Sequence, residues 1–262
     1  MLNLSELTDK VRALAIEAGD FIREERKKFH REAIEKKHAH DYVSYVDKES
    51  EKKIVTRLKE LLPEAGFIAE EGSGTLNDEQ YCWLVDPLDG TTNFIHDNAP
   101  YCVSIALRSK KELLLGVVYE ICRNECFWTY KGAPSYLNGN EIHVSAISNL
   151  DDSFIALGFP YATEEYKPMA NHLVNTLYGN VAGLRLMGAA AVELCYIAAG
   201  RFEARIEAFI GPWDIAAGTI ILQNARGMIT DFKGGDSYSS GSQVLASNGR
   251  IHRDLLNIID NL

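Results

Sequence analysis

Five acidic residues lie where the sequence pattern passes from a strand into a turn or from a turn into a helix, and acids placed in this way can bind a metal ion. They are Asp47, Glu70, Asp86, Asp89 and Asp214. Two of them belong to the segment WLVDPLDGTTNF (83–94), where an apolar run predicts a short buried strand and Gly90-Thr91-Thr92 predict the entry to a helix. Such a junction presents free backbone N–H groups and a helix dipole, and both favour a bound anion such as phosphate.

The two aspartates in this segment conflict with an anion site unless a cation is present. Two like unit charges about 4 Å apart repel by roughly 4 kcal/mol at an effective dielectric constant of 20. A divalent ion reverses the local sign, and hard oxygen ligands suit Mg²⁺, which binds a phosphate together with one or two carboxylates. With two ions, one activates a water molecule and the other stabilises the departing oxygen of an in-line displacement. The acids therefore indicate Mg²⁺-dependent hydrolysis of a phosphate monoester, with the N–H groups of Gly90 and Thr91 facing the phosphate.

Each acid also has a purely structural explanation. Aspartate is a preferred N-cap, so Asp47, Asp89 and Asp214 could each satisfy the free N–H groups at a helix start. Asp86 fits that explanation least, because it follows a buried run and precedes Pro87, and a buried charge needs a partner.

Composition narrows the classes of partner. The 262-residue chain is 46% hydrophobic and carries a formal net charge of −10, which disfavours binding to a nucleic-acid backbone or to an anionic membrane. The N-terminal segment has neither a basic leader nor an uninterrupted apolar stretch, so we expect a cytoplasmic protein. The five cysteines are odd in number and lie mostly in apolar runs, which predicts reduced, buried thiols and no zinc site.

The elements that position these acids predict an α+β fold. Apolar residues at three- and four-residue steps from Leu4 to Ile22 predict a first helix capped by Ser5, and the same periodicity predicts a helix at 47–62. The first half also predicts strands at 67–69, 82–85, 101–108, 113–121 and 126–130, and a loop at 132–139. Beyond residue 150, strands near 153–157, 203–207, 228–231 and 244–247 alternate with helices at 164–178, 189–199, 214–226 and 250–261. No flexible linker divides the sequence, so we expect one domain over 1–262, with halves of about 1–150 and 151–262.

Several motifs together resemble the inositol monophosphatase family. The strongest are DPLDGTTNF (86–94), the Glu70-Glu71 pair before it and WDIAAG (213–218). The YVSYVD segment, GFPY (158–161), the stretch GAAAVELCYIAAGR and Glu207 match in order and spacing, so the resemblance covers nearly the whole chain. The resemblance implies a layered α/β/α/β/α sandwich of the inositol monophosphatase and fructose-1,6-bisphosphatase type. It also implies a homodimer, two or three Mg²⁺ ions in each site, and sensitivity to Li⁺.

The same resemblance implies roles for individual residues. The ion that activates water would be bound by Glu70, Asp86 and the backbone carbonyl of Leu88. The leaving-group ion would be bound by Asp86, Asp89 and Asp214, and Glu70 with help from Asp47 would hold a weaker third ion. Thr91, expected near Glu70, would orient the attacking water and, with Asp89 and Gly90, contact the phosphate.

The alcohol side of the site is implied less fully. Gly188, Ala189, Ala190 and Glu207 would line it, and Glu207 would accept hydrogen bonds from substrate hydroxyls. Many relatives carry Ser or Thr where this chain has Ala189, so the resemblance specifies the reaction type more closely than the substrate. The predicted substrate is a small phosphorylated alcohol, either inositol 1-phosphate or a similar polyol or sugar monophosphate.

Other functions stay open at this point. The 2′-phosphate of NADP, fructose 1,6-bisphosphate and 3′-phosphoadenosine phosphate would use the same metal chemistry, and a non-catalytic regulator that binds metal and phosphate is a further alternative. A haloacid-dehalogenase-type phosphatase is disfavoured because its motif is DxDGT and the spacing here is DxxDGT. A calcium-binding EF-hand is excluded because Leu88 occupies a position that requires an oxygen ligand.

Overall fold

A computed structural model describes residues 2–30, 34–38, 41–74, 79–159, 163–240 and 243–260. Seven α-helices lie within those ranges: α1 (Leu4–Arg26), α2 (Tyr45–Leu61), α3 (Thr91–Ile95), α4 (Thr163–Leu177), α5 (Ala190–Ala198), α6 (Pro212–Asn224) and α7 (His252–Asp260). The strands of the first half are β1 (Ile34–His38), β2 (Asp41–Ser44), β3 (Ala65–Ala69), β4 (Tyr81–Asp89), β5 (Cys102–Ser109), β6 (Leu113–Glu120), β7 (Glu125–Tyr130), β8 (Ser135–Leu137) and β9 (Asn140–Ile142). Those of the second half are β10 (Phe154–Leu157), β11 (Gly183–Arg185), β12 (Ala204–Ala208), β13 (Met228–Thr230) and β14 (Gln243–Ser247).

These elements stack as five layers around three apolar cores, which confirms the predicted α+β sandwich. Helices α1 and α2 cover one face of a seven-stranded sheet of order β3-β4-β5-β6-β7-β8-β9. Helices α5 and α6 lie between that sheet and a five-stranded sheet of order β11-β10-β12-β14-β13. Helices α4 and α7 cover the outer face of the smaller sheet. The middle layer is apolar all round because it faces a sheet on both sides, as expected for a helix buried on every face.

The two N-terminal helices begin at different residues from those predicted. The side chain of Asn3, not Ser5, caps α1 by accepting a hydrogen bond from the N–H of Glu6 at 3.3 Å. Ser44 caps α2, and Asp47 lies in the first turn, where its Oδ2 accepts from the N–H of Ser44 at 2.8 Å. This reciprocal arrangement is a capping box, which satisfies N–H groups that a helix leaves free at its start.

Strand β4 positions the acidic segment because it runs beyond the predicted apolar run. It pairs in parallel with β3 and in antiparallel with β5, and the pairing with β5 shifts between Asp86 and Asp89. This shift adds one residue to β4 between the Asp86–Ser104 and Asp89–Cys102 pairs. An extra residue of this kind is a β-bulge, and Pro87 is tolerated there because it has no N–H to donate.

Some short elements differ from the sequence prediction. The predicted loop at 132–139 contains β8, which pairs with β9 to form a hairpin. The two-stranded sheet β1-β2 and the edge strand β11 were not predicted. Each of these strands has three to five residues, which is too short for a periodic pattern to stand out.

The cysteines are all free, as predicted, and four of them are buried, but Cys122 is exposed. Among the described residues, no helix is both long and apolar enough to cross a lipid bilayer.

Candidate active site

Glu70 and Asp86 come together because β3 and β4 are parallel. Ala69 is aligned with Val85, and the N–H of Glu70 donates to the carbonyl oxygen of Val85 at 3.2 Å. The two acids are therefore the next residues on neighbouring strands at the same edge of the sheet. Their side chains share a hydrogen bond.

The bulge in β4 brings Asp89 to the same cavity as Asp86. Residues three apart on a regular strand point to opposite faces, and one extra residue cancels that difference. Both oxygens of Asp89 accept hydrogen bonds from the start of α5, from the N–H of Ala190 at 3.1 Å and of Ala191 at 2.8 Å. Asp89 thus satisfies N–H groups at the start of α5 and also lies in the candidate site.

Asp214 reaches the site from the first turn of α6. Pro212 occupies the start of that helix, and Oδ2 of Asp214 accepts from the N–H of Gly211 at 2.7 Å. The Asp214 carboxyl group is also hydrogen-bonded to Asp86. Three distant segments of the chain therefore meet at the Asp86 carboxyl group.

Asp47 and Thr91 form a linked pair beside these acids. The hydroxyl oxygen of Thr91 lies 2.9 Å from Oδ1 of Asp47 and 3.0 Å from the carbonyl oxygen of Leu88. The Asp47 side chain is only 1% exposed, and it holds the first turn of α3 against the first turn of α2. The predicted contact of Thr91 with Glu70 stays a prediction.

The acids line a cavity of about 490 Å³. Its wall includes Gly90 and Thr91 on the phosphate side, Gly188, Ala190 and Glu207 on the predicted alcohol side, and Phe209 and Trp213 at one flank. A groove of about 760 Å³ lies on another side of α6 and is lined by Arg108, Lys110, Lys111 and Thr219 among others. We place the candidate site in the smaller cavity, because the larger groove contains none of the predicted site residues.

Burial and mutual repulsion raise the pKa values of the clustered carboxyl groups. Burial, followed by the charges of Glu70, Asp89 and Asp214, raises the pKa of Asp86 well above its ordinary value. Burial raises the pKa of Asp89 to about 7, although the Ala191 N–H and the charge of Arg205 act against that increase. Burial, followed by the charges of Glu70 and Asp89, raises the pKa of Asp214 to about 8. Such crowding is unfavourable for the anionic forms, and a bound cation would relieve it.

The donors in this cavity fit Mg²⁺ in kind. The predicted metal ligands Glu70, Asp86, Asp89, Asp214 and the Leu88 carbonyl supply only carboxylate and carbonyl oxygens, which are the ligands of hard divalent cations. Over the described part of the chain, no three acid, histidine or cysteine side chains already surround a common point as a metal-binding group. The charges of Glu70 and Asp214 nevertheless add to the effect of burial in raising the pKa of Asp86, as expected for acids that face one another.

Three predicted substrate-side residues line the cavity, but Ala189 does not. Ala189 is 1% exposed, and a Cβ built on Gly90 would lie 3.3 Å from the Ala189 Cβ. Gly90 has a φ of +88°, and the same Cβ would lie 2.9 Å from the carbonyl oxygen of Pro100. Ala189 therefore packs behind the phosphate turn, and its missing hydroxyl does not bear on contacts inside the cavity.

Sequence reasoning missed several residues that hold the site in place. Ser50 donates to the carbonyl oxygen of Pro87 at 3.3 Å, and Glu51 accepts from the N–H groups of Glu71 at 2.7 Å and Ser73 at 2.9 Å. Together with Asp47 they let one face of α2 contact both acid-bearing loops. The spacing of three and four residues between Asp47, Ser50 and Glu51 was the available signal, because such residues share a helix face.

Two further residues were missed on the alcohol side. Glu193 and Arg205 are almost completely buried and ion-paired, with Nε of Arg205 2.7 Å from Oε2 of Glu193. Glu193 lies inside an apolar run of the sequence, where a single buried charge suggests a partner but does not identify it. Arg205 lies between Glu203 and Glu207, so the sequence offers nearer partners than Glu193.

Comparison with known proteins gives matches over nearly the whole chain. A profile of the inositol monophosphatase family matches residues 3–261. A protein of Pasteurella multocida named Nus factor SuhB is 39% identical over 225 residues, which cover 85% of this chain and 84% of that protein.

Solved structures give the same result. The extragenic suppressor protein suhB of Bartonella henselae superposes with a TM-score of 0.88 at 32% identity, covering 94% of this chain and 95% of that one. The inositol monophosphatase of Anabaena (Nostoc) sp. PCC 7120 superposes with a TM-score of 0.87 at 30% identity, covering 100% of this chain and 98% of that one.

Proposed function

The chain belongs to the inositol monophosphatase family, and from this premise we propose that it is a Mg²⁺-dependent phosphomonoesterase acting on inositol 1-phosphate or a similar polyol or sugar monophosphate. The observation that carries the proposal is the meeting of Glu70, Asp86 and Asp214, from three separate segments, in one cavity with Asp89. A helix cap needs one acid, and a buried ion pair needs one cation for each acid. Neither explains four acids in one cavity without a matching set of cations.

The metal ligands in this proposal are Glu70, Asp86, Asp89, Asp214 and the carbonyl oxygen of Leu88. Two or three Mg²⁺ ions supply, when bound, the positive charge that a phosphate needs beside these acids and the means to activate water. In this proposal the backbone N–H groups of Gly90 and Thr91, at the start of α3, contact the phosphate. The Thr91 hydroxyl, held by Asp47, orients the attacking water for in-line displacement.

The size and charge of the cavity favour a monophosphate. A volume of about 490 Å³ suits a small phosphorylated alcohol. Arg205 is the one cationic side chain among the described residues that line it, and it is paired with Glu193 and Glu207. A second phosphate, as in fructose 1,6-bisphosphate, would find no free basic cluster there. NADP and 3′-phosphoadenosine phosphate remain alternatives that share the metal chemistry.

Phosphate release from a substrate panel tests this proposal. The panel contains inositol 1-phosphate, fructose 1,6-bisphosphate, NADP and 3′-phosphoadenosine phosphate, each with and without Mg²⁺. Asp89→Asn should lower kcat by about a hundredfold or more, since one site oxygen is replaced by an amide nitrogen. Asp254→Asn, on the exposed first turn of α7, is the matched control and should keep full activity. Equal turnover by the two variants, or no Mg²⁺-dependent release by the wild type, would refute the proposal.

A second candidate is a non-catalytic role in which the chain binds a partner. It is favoured by the name Nus factor carried by the Pasteurella multocida relative. Cells that lack the chain would distinguish the two, because the Asp89→Asn protein would restore growth only if catalysis is dispensable.

Family membership supports four further expectations that belong to the proposal. They are a homodimer, inhibition by Li⁺, a cytoplasmic location, and a single domain over 1–262 without a nucleic-acid or membrane partner. Sedimentation and a Li⁺ titration of phosphate release test the first two.

A further inference from the structure

Arg205 is a buried cation with one donor left over. It lies in β12 of the smaller sheet, and its side chain is 3% exposed. Its Nε donates to Oε2 of Glu193 at 2.7 Å, and its Nη2 donates to Oε2 of Glu207. Its Nη1 is also buried but has no hydrogen-bond partner among the described residues. An unsatisfied buried donor is unfavourable and indicates an acceptor that arrives from outside the chain.

The unsatisfied donor belongs to a side chain that lines the candidate active-site cavity. Arg205 and Glu207 are both part of the cavity wall, together with Gly188 on the opposite segment. Glu207 is the less buried carboxylate, with 16% of its side chain exposed, whereas Glu193 is 1% exposed. A group that contacts Glu207 from the cavity therefore lies beside the Arg205 guanidinium, whose Nη1 has no partner among the described residues.

Neighbouring residues hold this arrangement in one geometry. Oε1 of Glu193 accepts from the N–H groups of Met187 and Gly188, each at 3.1 Å, which ties the cavity wall to the Arg205 guanidinium. A Cβ placed on Gly158 would collide with the carboxylate of Glu207. The pair Arg205–Glu207 therefore has little freedom to turn away from the cavity.

The local charge selects the kind of acceptor. Glu193 and Glu207 carry two negative charges against the single positive charge of Arg205. A second anionic group would therefore gain little from Nη1, because Glu207 repels it from a short distance. A neutral hydroxyl can accept from Nη1 through its oxygen and donate its proton to Glu207, which satisfies both partners.

The family resemblance already implies that Glu207 accepts a hydrogen bond from a substrate hydroxyl. We propose that Arg205 donates to that same hydroxyl group and is thereby a specificity-determining residue. The inference rests on the proposed phosphatase function and adds the group that the enzyme selects. Glu193 is then a positioning residue, because it holds the guanidinium without facing the substrate.

The test compares a substrate with hydroxyl groups and one without. Initial rates are measured with Mg²⁺ for inositol 1-phosphate and for p-nitrophenyl phosphate, using the wild-type chain, Arg205→Lys and the control Asp254→Asn. The ratio of kcat/KM between the two substrates should fall tenfold or more in Arg205→Lys, mainly through KM for inositol 1-phosphate, since a hydrogen bond from a charged donor is lost. Asp254→Asn lies on the exposed first turn of α7 and should change the ratio less than threefold.

Two results would overturn the inference. One is an unchanged ratio in Arg205→Lys, and the other is a parallel loss of kcat/KM on both substrates, as expected if the guanidinium only maintains the shape of the site. If Arg205→Lys does not fold by circular dichroism, the wild type is assayed with inositol 1-phosphate analogues that each lack one hydroxyl. At least one analogue should lose tenfold or more in kcat/KM, and equal rates for all would overturn the inference.

Failure of the proposed function can be distinguished from failure of this inference. A wild-type chain that releases phosphate from no substrate disproves the phosphatase activity. The inference is then decided by calorimetric binding of inositol 1-phosphate, which should be at least tenfold weaker in Arg205→Lys and would contradict the assignment if unchanged.

Discussion

His252 at the start of α7 is buried, and both of its ring nitrogens are hydrogen-bonded. Its Nδ1 lies 2.8 Å from the hydroxyl oxygen of Ser247, and its Nε2 lies 2.9 Å from that of Thr230. Thr230 gives its own proton to the carbonyl oxygen of Asp231 at 2.8 Å, so Nε2 must donate to Thr230 and Nδ1 must accept from Ser247. Protonation of Nδ1 would remove that acceptor and place a charge in a side chain that is 3% exposed.

The cost of acid follows from the pKa. Burial lowers the pKa of His252 from 6.5 to about 4. Above pH 6.5 the residue is neutral in both the folded and the unfolded chain and has no effect. As the pH falls below 6.5, the unfolded chain takes up the proton first, so the free energy of unfolding decreases until the pH reaches about 4. The full loss is about 3.4 kcal/mol, at 1.36 kcal/mol for each pH unit.

The site acids act in the opposite direction, because a raised pKa favours the folded chain as the pH falls. We therefore compare urea unfolding of the wild type with that of His252→Gln. Both proteins contain the site acids, so the contribution of those acids cancels in the difference. Between pH 7.5 and pH 4.5 the difference in unfolding free energy should move by about 2.6 kcal/mol in favour of the variant. A difference that stays constant over this range, or a His252 ring that titrates near pH 6.5 by NMR, would refute the reasoning.

Three other outcomes are expected. Addition of Mg²⁺ at pH 7 should release protons, detected with a pH indicator, because the raised pKa values of Asp89 and Asp214 leave both groups partly protonated; no release would mean that the ion binds elsewhere. Glu51→Gln should lower kcat/KM about tenfold and raise the Mg²⁺ concentration needed for half-maximal rate. The reason is that the loop after Glu70 loses the carboxylate that accepts from the N–H groups of Glu71 and Ser73. Unchanged kinetics would contradict this role of Glu51. Phe209→Gly should change the free energy of unfolding, measured in urea, by less than about 1 kcal/mol. The ring is 62% exposed and loses few contacts, and glycine relieves the strain of the φ of +59°. A larger loss would show that the ring stabilises the fold.

The sequence was sufficient to predict the layered fold and the residues of the acidic cluster. Asp86 was recognised because a charge that follows a buried strand needs a partner, and in the structure it faces the acids Glu70, Asp89 and Asp214, which a bound cation would compensate. The sequence could not predict how Asp86 and Asp89 reach one cavity, because the bulge depends on the pairing of β4 with β5.

The sequence also could not predict which side chains from different layers contact one another. Ala189 follows a glycine in a small-residue motif and was predicted to contact substrate, yet its position depends on how closely the Gly90 turn approaches it. The Glu193–Arg205 pair joins α5 to β12, and the sequence contains no local signal for a pairing between residues so far apart. Ser5 was the predicted cap for α1, and the backbone geometry shows that the cap is Asn3.

The way Asp89 joins the two halves has a consequence for synthesis of the protein. Asp89 leaves the ribosome 101 residues before Ala190, and in the folded chain it accepts a hydrogen bond from the N–H of Ala190. Asp214 is synthesised later still. A nascent or prematurely terminated polypeptide therefore has no finished pocket, however well its first sheet has formed. Translation products that end before Asp214 would therefore lack the complete acidic cluster.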